Sequence, residues 1–408
     1  PHHKDYVLRC RKFFFFRSPL EFLLIRRAIA LREFFRGIRH GFVIPRELLL
    51  DPTSACNLRC HGCWAADYQA GSQLSFEKLD DILSQAEALG IPDCLMSGGE
   101  PLLRKADILQ LCRRHRRMTF GLFTNGTLVD EALADEMVRL GNLSLFLSIE
   151  GWREETDARR GEGVYDRVLA AMDLLRSRNI GFAFSICYHA KNYETVCSDA
   201  YLDFLREKGC WFGWMFQYIP VGRDADLSLC CTPEQRDHVR RRVQDYVRRH
   251  GMVIIDFWNN GHLATGCVGA GSGFVHINAR GDVEPCAFCH YSDSNLHEKT
   301  LAEALRSPFF RRFRRAQPFS GNPLRSCPIM DHPQVLSSLV AASGAASTHL
   351  DRPESPEELA CKTGPLAEAW APQAEAIYAG LSERERQNFQ GMVSRMGVKN
   401  RLSDRGDP

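Results

Sequence analysis

Three cysteines in a short loop are the residues of this chain best suited to chemistry. Cys56, Cys60 and Cys63 lie in the segment DPTSACNLRCHGCW, spaced Cys-x3-Cys-x2-Cys, directly after the apolar run 47–50. Three thiolates on one tight loop can bind three corners of a four-iron cube and leave the fourth iron open to a small molecule, and soft thiolates favour iron–sulfur chemistry. The alternatives are three buried thiols or a zinc loop, although zinc sites favour a close cysteine pair with a second pair elsewhere.

The spacing of this loop resembles the signature of the radical S-adenosylmethionine (SAM) superfamily. The resemblance implies a 4Fe–4S cluster on Cys56, Cys60 and Cys63 that binds SAM and receives electrons from a donor such as flavodoxin or ferredoxin. It further implies reductive cleavage of SAM to a 5′-deoxyadenosyl radical, which abstracts hydrogen from an unactivated carbon. The signature usually has an aromatic residue before its last cysteine, whereas this chain has Gly62 there and Trp64 as the nearest aromatic residue.

A second motif, SGGEP, ends the second predicted strand. Gly98 and Gly99 would let a ligand approach the backbone closely, and the Glu100 carboxylate can accept a hydrogen bond from an ammonium group. The motif begins at Ser97 and resembles the superfamily segment that holds the methionine amino group of SAM. A simple turn is the alternative for this motif taken alone.

Polar residues also follow the third and fourth predicted strands. The segment TNG contains Asn125, and SIEG begins with Ser148. Because the strand ends of a parallel barrel meet at one mouth, we expect both residues to contribute to the cofactor site. By resemblance, Ser148 matches a residue that contacts the SAM ribose or carboxylate. Arg160, in DARRGEG, is the candidate for binding the SAM carboxylate, with a solvated surface charge as the alternative.

The alternation of apolar and amphipathic segments predicts an α/β fold. Between residue 46 and about residue 256, short apolar runs alternate with longer amphipathic stretches, which predicts a parallel sheet with helices outside. Six such units match the partial (β/α)6 TIM-type barrel of the superfamily that the cysteine loop resembles. The capping residue Ser75 and the later Gly90 predict the start and the end of the first helix. The predicted strands are residues 47–51, 93–97, 119–124, 143–149, 181–187 and 213–219.

Four cysteines in the C-terminal third predict a second cluster site. Two of them lie within FVHINARGDVEPCAFC, which predicts a hairpin that turns at residues 279–281, and the other two lie on either side of this segment. The pattern resembles an auxiliary-cluster domain of the SPASM or shorter twitch type, which implies one auxiliary 4Fe–4S cluster, with Cys361 as a replacement for one ligand. A four-cysteine zinc site is the alternative, and other cysteines, such as Cys187, are expected to be core or incidental thiols. The candidate ligands are Cys267, Cys286, Cys289 and Cys327.

These patterns divide the chain into four regions. Residues 1–45 mix Phe, Leu and Ile with arginines, which predicts either an amphipathic anchor at a membrane interface or a helical extension packed on the barrel. Residues 46–258 form the barrel and residues 259–334 the auxiliary-cluster domain. In residues 335–408, small residues and prolines predict a loose linker, followed by a helical piece over residues 364–392.

Composition narrows the function. A formal net charge of +2 over 408 residues disfavours a nucleic-acid partner. Sixteen cysteines without a recognisable signal-peptide cleavage site predict a reducing, cytoplasmic location. The resemblance of the cysteine loop and SGGEP implies a radical SAM enzyme, and we expect it to act on a peptide or a lipid. The alternative is a non-catalytic iron–sulfur or zinc protein that serves as a scaffold or electron carrier, which would not need SGGEP.

Overall fold

Within the described residues, nine strands form one sheet, in which all but the last run parallel. The computed structural model describes residues 36–37, 39–65, 71–222, 224–261, 266–349, 352–391 and 394. Most of the predicted N-terminal extension lies outside the described residues. The choice between a membrane anchor and a packed helix therefore concerns residues that the structure does not describe. The strands are β1 (Glu47–Leu50), β2 (Asp93–Met96), β3 (Thr119–Thr124), β4 (Leu143–Ser148), β5 (Phe182–Tyr188), β6 (Cys210–Gln217), β7 (Val253–Asp256), β8 (Phe274–Ile277) and β9 (Val283–Glu284).

Helices join the successive parallel strands from β1 to β7. The first begins after the N-cap Ser75, whose side chain accepts a hydrogen bond from the Lys78 N–H, and ends at Gly90, as predicted. None of the helices in the described ranges has both the length and the apolarity needed to cross a bilayer. The helices between strands are α1 (Phe76–Leu89), α2 (Lys105–Arg114), α3 (Glu131–Leu140), α4 (Arg153–Arg160), α5 (Val164–Ser177), α6 (Tyr193–Val196), α7 (Asp199–Lys208) and α8 (Pro233–His250).

The six predicted strands are confirmed, and β7 adds a seventh in the apolar run that follows α8. Successive side chains of each strand point to opposite faces of the sheet, so one face packs against the helices and the other faces the barrel interior. In β4, Leu143, Leu145 and Leu147 are buried in the core shared with the helices, whereas Ser144 and Phe146 line an interior cavity. The strand order β7-β6-β5-β4-β3-β2-β1-β8-β9 leaves the described sheet open between β7 and β9. The α/β fold with a parallel sheet is therefore confirmed.

The predicted hairpin is confirmed, but its first strand belongs to the barrel sheet. β8 and β9 are antiparallel, and Gly281 in the turn has a φ of 86°, which suits glycine. β8 also pairs in parallel with β1, with Leu50 opposite Ile277. The hairpin that begins the auxiliary-cluster region therefore extends the barrel sheet on the side of the strand that leads into the cysteine loop.

The linker predicted from residue 335 onward is wrong, because that segment begins inside a helix. Leu336 and Val340 lie one turn apart and are both buried, so the small residues around them support a packed helix. A capping box of Ser355 and Glu358 then starts the last long helix at Pro356, earlier than predicted. The remaining elements are α9 (Leu301–Ala304), α10 (Pro308–Ala316), α11 (Pro333–Ser343), α12 (Pro356–Ala379), β10 (Tyr291–Ser292) and β11 (Ala346–Ser347).

Candidate active site

A cavity of about 470 Å3 inside the barrel has a polar end at the carboxyl ends of the strands and an apolar wall deeper in. The three loop cysteines and all the predicted cofactor residues line this cavity, so residues that are far apart in sequence share one site. They are Cys56, Cys60, Cys63, Ser97, Gly98, Gly99, Glu100, Asn125, Ser148 and Arg160.

The glycines of SGGEP are required by the cysteine loop itself. A Cβ atom on Gly99 would lie 2.0 Å from the carbonyl oxygen of Ala55, and one on Gly98 would lie 2.6 Å from that of Thr53. Backbone hydrogen bonds fix the same approach, since Gly99 N–H donates to Thr53 O at 2.9 Å and Glu100 N–H donates to Ala55 O at 2.8 Å. Close contact between these two chain segments is thus by itself a reason for glycine at both positions.

The Glu100 carboxylate is buried and already accepts three hydrogen bonds. Its Oε1 accepts from Leu102 N–H at 3.0 Å and from the Thr124 hydroxyl at 2.7 Å, and its Oε2 accepts from Asn125 N–H at 2.8 Å. Burial raises the pKa of Glu100 despite these hydrogen bonds. A carboxylate has about four lone-pair positions, so Oε2 keeps one for an ammonium group.

Glu100→Gln is expected to weaken SAM binding about tenfold or more, the loss typical of a charged hydrogen bond. Both carboxylate oxygens face backbone N–H donors, so the amide NH2 of glutamine must oppose one of them and will also disturb the loop. Isothermal titration with SAM measures the effect. Thr124→Val is the matched control, because it removes one hydrogen bond to Glu100, together with the acceptor of the Gly126 N–H, and leaves the charge. Unchanged affinity in Glu100→Gln would remove Glu100 from the site.

Asn125 joins the third strand end to the cysteine loop. Its side-chain NH2 donates to the Asn57 side-chain oxygen at 2.8 Å, and its own oxygen accepts from Thr127 N–H at 3.0 Å. The Asn57 NH2 in turn donates to the Thr127 hydroxyl at 2.8 Å. This ring of hydrogen bonds fixes the residue next to Cys56.

Glu150 is fully buried and gathers two arginines beside the cysteine loop. Arg159 Nη1 donates to Glu150 Oε1 at 2.6 Å, and Arg160 Nε donates to the same oxygen at 2.8 Å. Although burial opposes ionisation, the two guanidinium groups hold the pKa of Glu150 below its usual range. The solvated alternative for Arg160 is therefore wrong, since only 12% of its side chain is exposed.

An aromatic ring from a distant part of the chain lies beside Gly62. Gly62 has a φ of 64°, and a Cβ atom there would lie 2.8 Å from the ring of Tyr218. Tyr218 follows β6 and lines the cavity beside Gly62. Trp64 faces the hairpin instead, with its ring 5.5 Å from that of Phe288 and 5.9 Å from that of His276.

Several cavity residues escaped the sequence analysis. Cys187, expected to be a core or incidental thiol, lines the cavity, and so does Arg159. The available signal was strand parity, because Cys187 lies two residues after Ser185, which lines the same cavity. The other expected core thiols in the described part of the chain are buried: Cys94, Cys112, Cys197, Cys210, Cys230 and Cys231.

The deeper wall of the cavity is largely aromatic. Charged side chains also line the cavity, among them Arg46, Glu47 and Asp93. Neither the Trp214 indole N–H nor the Gln217 side-chain oxygen has a hydrogen-bond partner within the described residues. Both side chains are more than nine-tenths buried. The aromatic lining residues are Phe123, Trp214, Phe216, Phe257, Phe274 and Phe288.

The four predicted auxiliary ligands also lie close together, since electrostatic interactions join all four thiols. Cys286 and Cys289 form a tight turn, with Cys289 N–H donating to Cys286 O at 2.9 Å. Burial raises the pKa of Cys267 to about 12 and that of Cys327 to about 11, so a bound metal must displace their protons. Cys361 is exposed on α12. In the described ranges, no three His, Cys, Asp or Glu side chains are placed to hold a single metal ion.

A buried charge network joins the SGGEP loop to the hairpin. Ser97 Oγ donates to Asp51 at 2.8 Å, and His276 contacts Asp51 at 2.9 Å through Nε2 and Glu284 at 2.6 Å through Nδ1. Although burial opposes the charge, the two carboxylates raise the pKa of His276 to about 10. His276 is therefore an imidazolium near neutral pH, and it ties β8 and β9 to the end of β1.

The pKa of His276 predicts how stability changes with pH. A histidine whose folded pKa exceeds its unfolded value of about 6.5 stabilises the fold fully below the latter, and this contribution is lost as pH rises towards about 10. We expect the free energy of unfolding to fall between pH 6.5 and 10, and His276→Gln to flatten that slope. Denaturant titration at several pH values measures it, with the exposed His297→Gln as the control. An unchanged slope in His276→Gln would contradict the prediction.

Comparison with known proteins gives the class of this chain. Residues 50–199 match the radical SAM superfamily, and residues 267–328 match SPASM, an iron–sulfur cluster-binding domain. Pre-heme d1 synthase of Dinoroseobacter shibae is 35% identical over 299 residues, covering 63% of this chain and 70% of its own. AdoMet-dependent heme synthase of Methanosarcina barkeri is 25% identical over 338 residues, covering 74% of this chain and 93% of its own.

Solved structures agree on the fold. Streptococcus suis SuiB, bound to its precursor peptide SuiA, superimposes with a TM-score of 0.56 at 19% identity, covering 71% of this chain and 70% of SuiB. The chain belongs to the radical SAM superfamily, with a SPASM domain towards its C-terminus. It is therefore an enzyme of the class that uses SAM, a SAM-binding 4Fe–4S cluster and auxiliary iron–sulfur clusters.

Proposed function

We propose that Cys56, Cys60 and Cys63 hold the SAM-binding cluster and that SGGEP, with Asn125 and Ser148, holds SAM beside it. The donor set fits this role, because all three thiols line one cavity and the buried Arg159 Nε has no partner within the described residues. When bound, the cluster and SAM supply one-electron cleavage to a carbon-centred radical that abstracts hydrogen.

The chain's own residues bind, orient and shield the reactants. Glu100 would accept a hydrogen bond from the SAM ammonium group at Oε2, and the Asn125–Asn57 pair keeps the cysteine loop in place beside it. The aromatic wall keeps water from the deeper part of the cavity, which protects a radical from competing hydrogen donors. Cys267, Cys286, Cys289 and Cys327 hold an auxiliary cluster.

The observation that carries the proposal is one cavity with the cysteine loop at its polar end and an aromatic wall beyond it. A substrate group that enters past the cofactor site therefore meets mostly aromatic and aliphatic side chains. We propose that it is an apolar side chain of a peptide, because an amide can pair with both the Trp214 N–H and the Gln217 oxygen. SuiB, which has a similar fold, binds a peptide.

Two other substrate classes remain as outcomes of the test. The named activities of the two relatives favour a tetrapyrrole, whose flat ring would also suit an aromatic wall. A lipid chain is the third class, and the N-terminal extension, residues 1–45, is the proposed membrane contact for it. The enzyme itself is proposed to work in the cytoplasm with flavodoxin or ferredoxin as its electron donor.

Deuterium transfer separates these classes. The anaerobic enzyme is given SAM, dithionite and one deuterated probe: a peptide rich in aliphatic and aromatic residues, a porphyrin with propionate groups, or phospholipid vesicles. Deuterium in 5′-deoxyadenosine from the peptide alone supports the proposal, whereas deuterium from the porphyrin or lipid reassigns the substrate. Failure of the enzyme to form any 5′-deoxyadenosine would overturn the cofactor assignment as well.

A further inference from the structure

The C-terminal end of α4 is attached to the cysteine loop. His61 N–H, inside the loop, donates to the Arg159 carbonyl oxygen at 2.8 Å. His61 also contacts Asp226 at 3.2 Å, which fixes the loop from its other side. The last turn of α4 therefore holds Arg159 and Arg160 at a set position relative to Cys60.

The guanidinium of Arg160 is oriented towards a cysteine sulfur. Its Nε and Nη2 both donate to Glu150 Oε1, while its Nη1 lies 4.0 Å from Cys60 Sγ. Glu150 is itself held in place by Arg159 and by the Cys187 N–H, which donates to Oε2 at 3.0 Å. Nε and one N–H of Nη2 are thus directed at Glu150, and Nη1 is the nitrogen directed at the cysteine loop.

We infer that Arg159 and Arg160, held by Glu150, make the cluster on Cys56, Cys60 and Cys63 easier to reduce. Two positive charges and one negative charge leave a net positive charge beside the thiolates. Such a charge stabilises the more negative, reduced state of a cluster, and hydrogen bonds to sulfur act in the same direction. Arg160 would then be a positioning and tuning residue and not the SAM carboxylate ligand proposed from the sequence.

The midpoint potential of the reconstituted holoenzyme tests this inference. A titration without SAM is followed by electron paramagnetic resonance, using the signal that later addition of SAM alters. Arg160→Gln is expected to lower the reduction equilibrium constant about tenfold or more, equal to about 59 mV for one electron. Arg160→Lys keeps the charge and is expected to stay near the wild type.

Arg153→Gln is the matched control, because Arg153 lies on the same helix but is exposed and pairs with Asp166. Arg153→Gln also removes one positive charge, but at a position away from the cysteine loop, and it should leave the midpoint potential unchanged. If the Arg160→Gln variant fails to load iron, the Arg159→Gln variant is measured in its place. In that variant Arg160 still pairs with the buried Glu150 carboxylate. A fall in the midpoint of the loaded variant supports the inference.

An unchanged midpoint in a loaded Arg160→Gln or Arg159→Gln variant overturns the inference, whether or not SAM affinity falls. Weaker SAM binding with an unchanged midpoint potential would instead support the role predicted from the sequence, in which Arg160 binds the SAM carboxylate. The inference rests on the proposed cluster ligands, and the two can fail separately. Full iron retention after loss of all three loop cysteines rejects the ligands, whereas an unchanged midpoint with iron present rejects only the tuning.

Discussion

Replacing Cys56, Cys60 and Cys63 together by alanine is expected to abolish formation of 5′-deoxyadenosine and to leave about half the iron of the wild type. Three thiolates are the proposed protein ligands of the SAM-binding cluster, and the auxiliary cluster has its own cysteines. Chromatography of the SAM products and iron content per chain measure the two effects. Both are needed, because loss of activity alone would not show which cluster is missing.

A matched control comes from the described residues. Cys361 is exposed on α12, so Cys361→Ala should keep both the iron content and the activity of the wild type. Unchanged iron in the triple variant would mean that the loop binds no cluster. Loss of all the iron would instead show that the auxiliary cluster cannot load without the loop.

Gly99→Ala is expected to damage the active site as strongly as the loss of a ligand. The added methyl group would lie 2.0 Å from the Ala55 carbonyl oxygen, so the SGGEP loop and the cysteine loop must separate. Overpacking of this kind costs about 1–3 kcal/mol, and here it falls on the backbone that precedes Cys56. We expect SAM affinity to fall about tenfold or more, with reduced iron loading.

The control for this substitution is a glycine in open space. A Cβ atom on Gly321 meets nothing within 4 Å, so Gly321→Ala should leave SAM affinity and iron content unchanged. Titration with SAM and iron analysis of both variants test the contrast. Wild-type affinity in Gly99→Ala would show that the two loops can move apart without cost to the site.

The sequence by itself determined the class of this protein, because the relevant signals are local. The cysteine spacing and SGGEP each lie within a few residues, and alternating apolar runs indicate the strands that lead into them. Capping residues such as Ser75 act on their own helix, so that helix start was predicted correctly. The prediction of a linker from residue 335 onward was wrong, because the burial of Leu336 and Val340 depends on the elements that pack against them.

Only the tertiary structure decided how the site is held together. The need for Gly99 comes from Ala55, and the ring beside Gly62 comes from Tyr218, which is far away along the chain. His276 is charged because folding buries it between two carboxylates from different segments. Contacts of this kind depend on the distance between elements in space, and the spacing of residues along the chain does not give that distance.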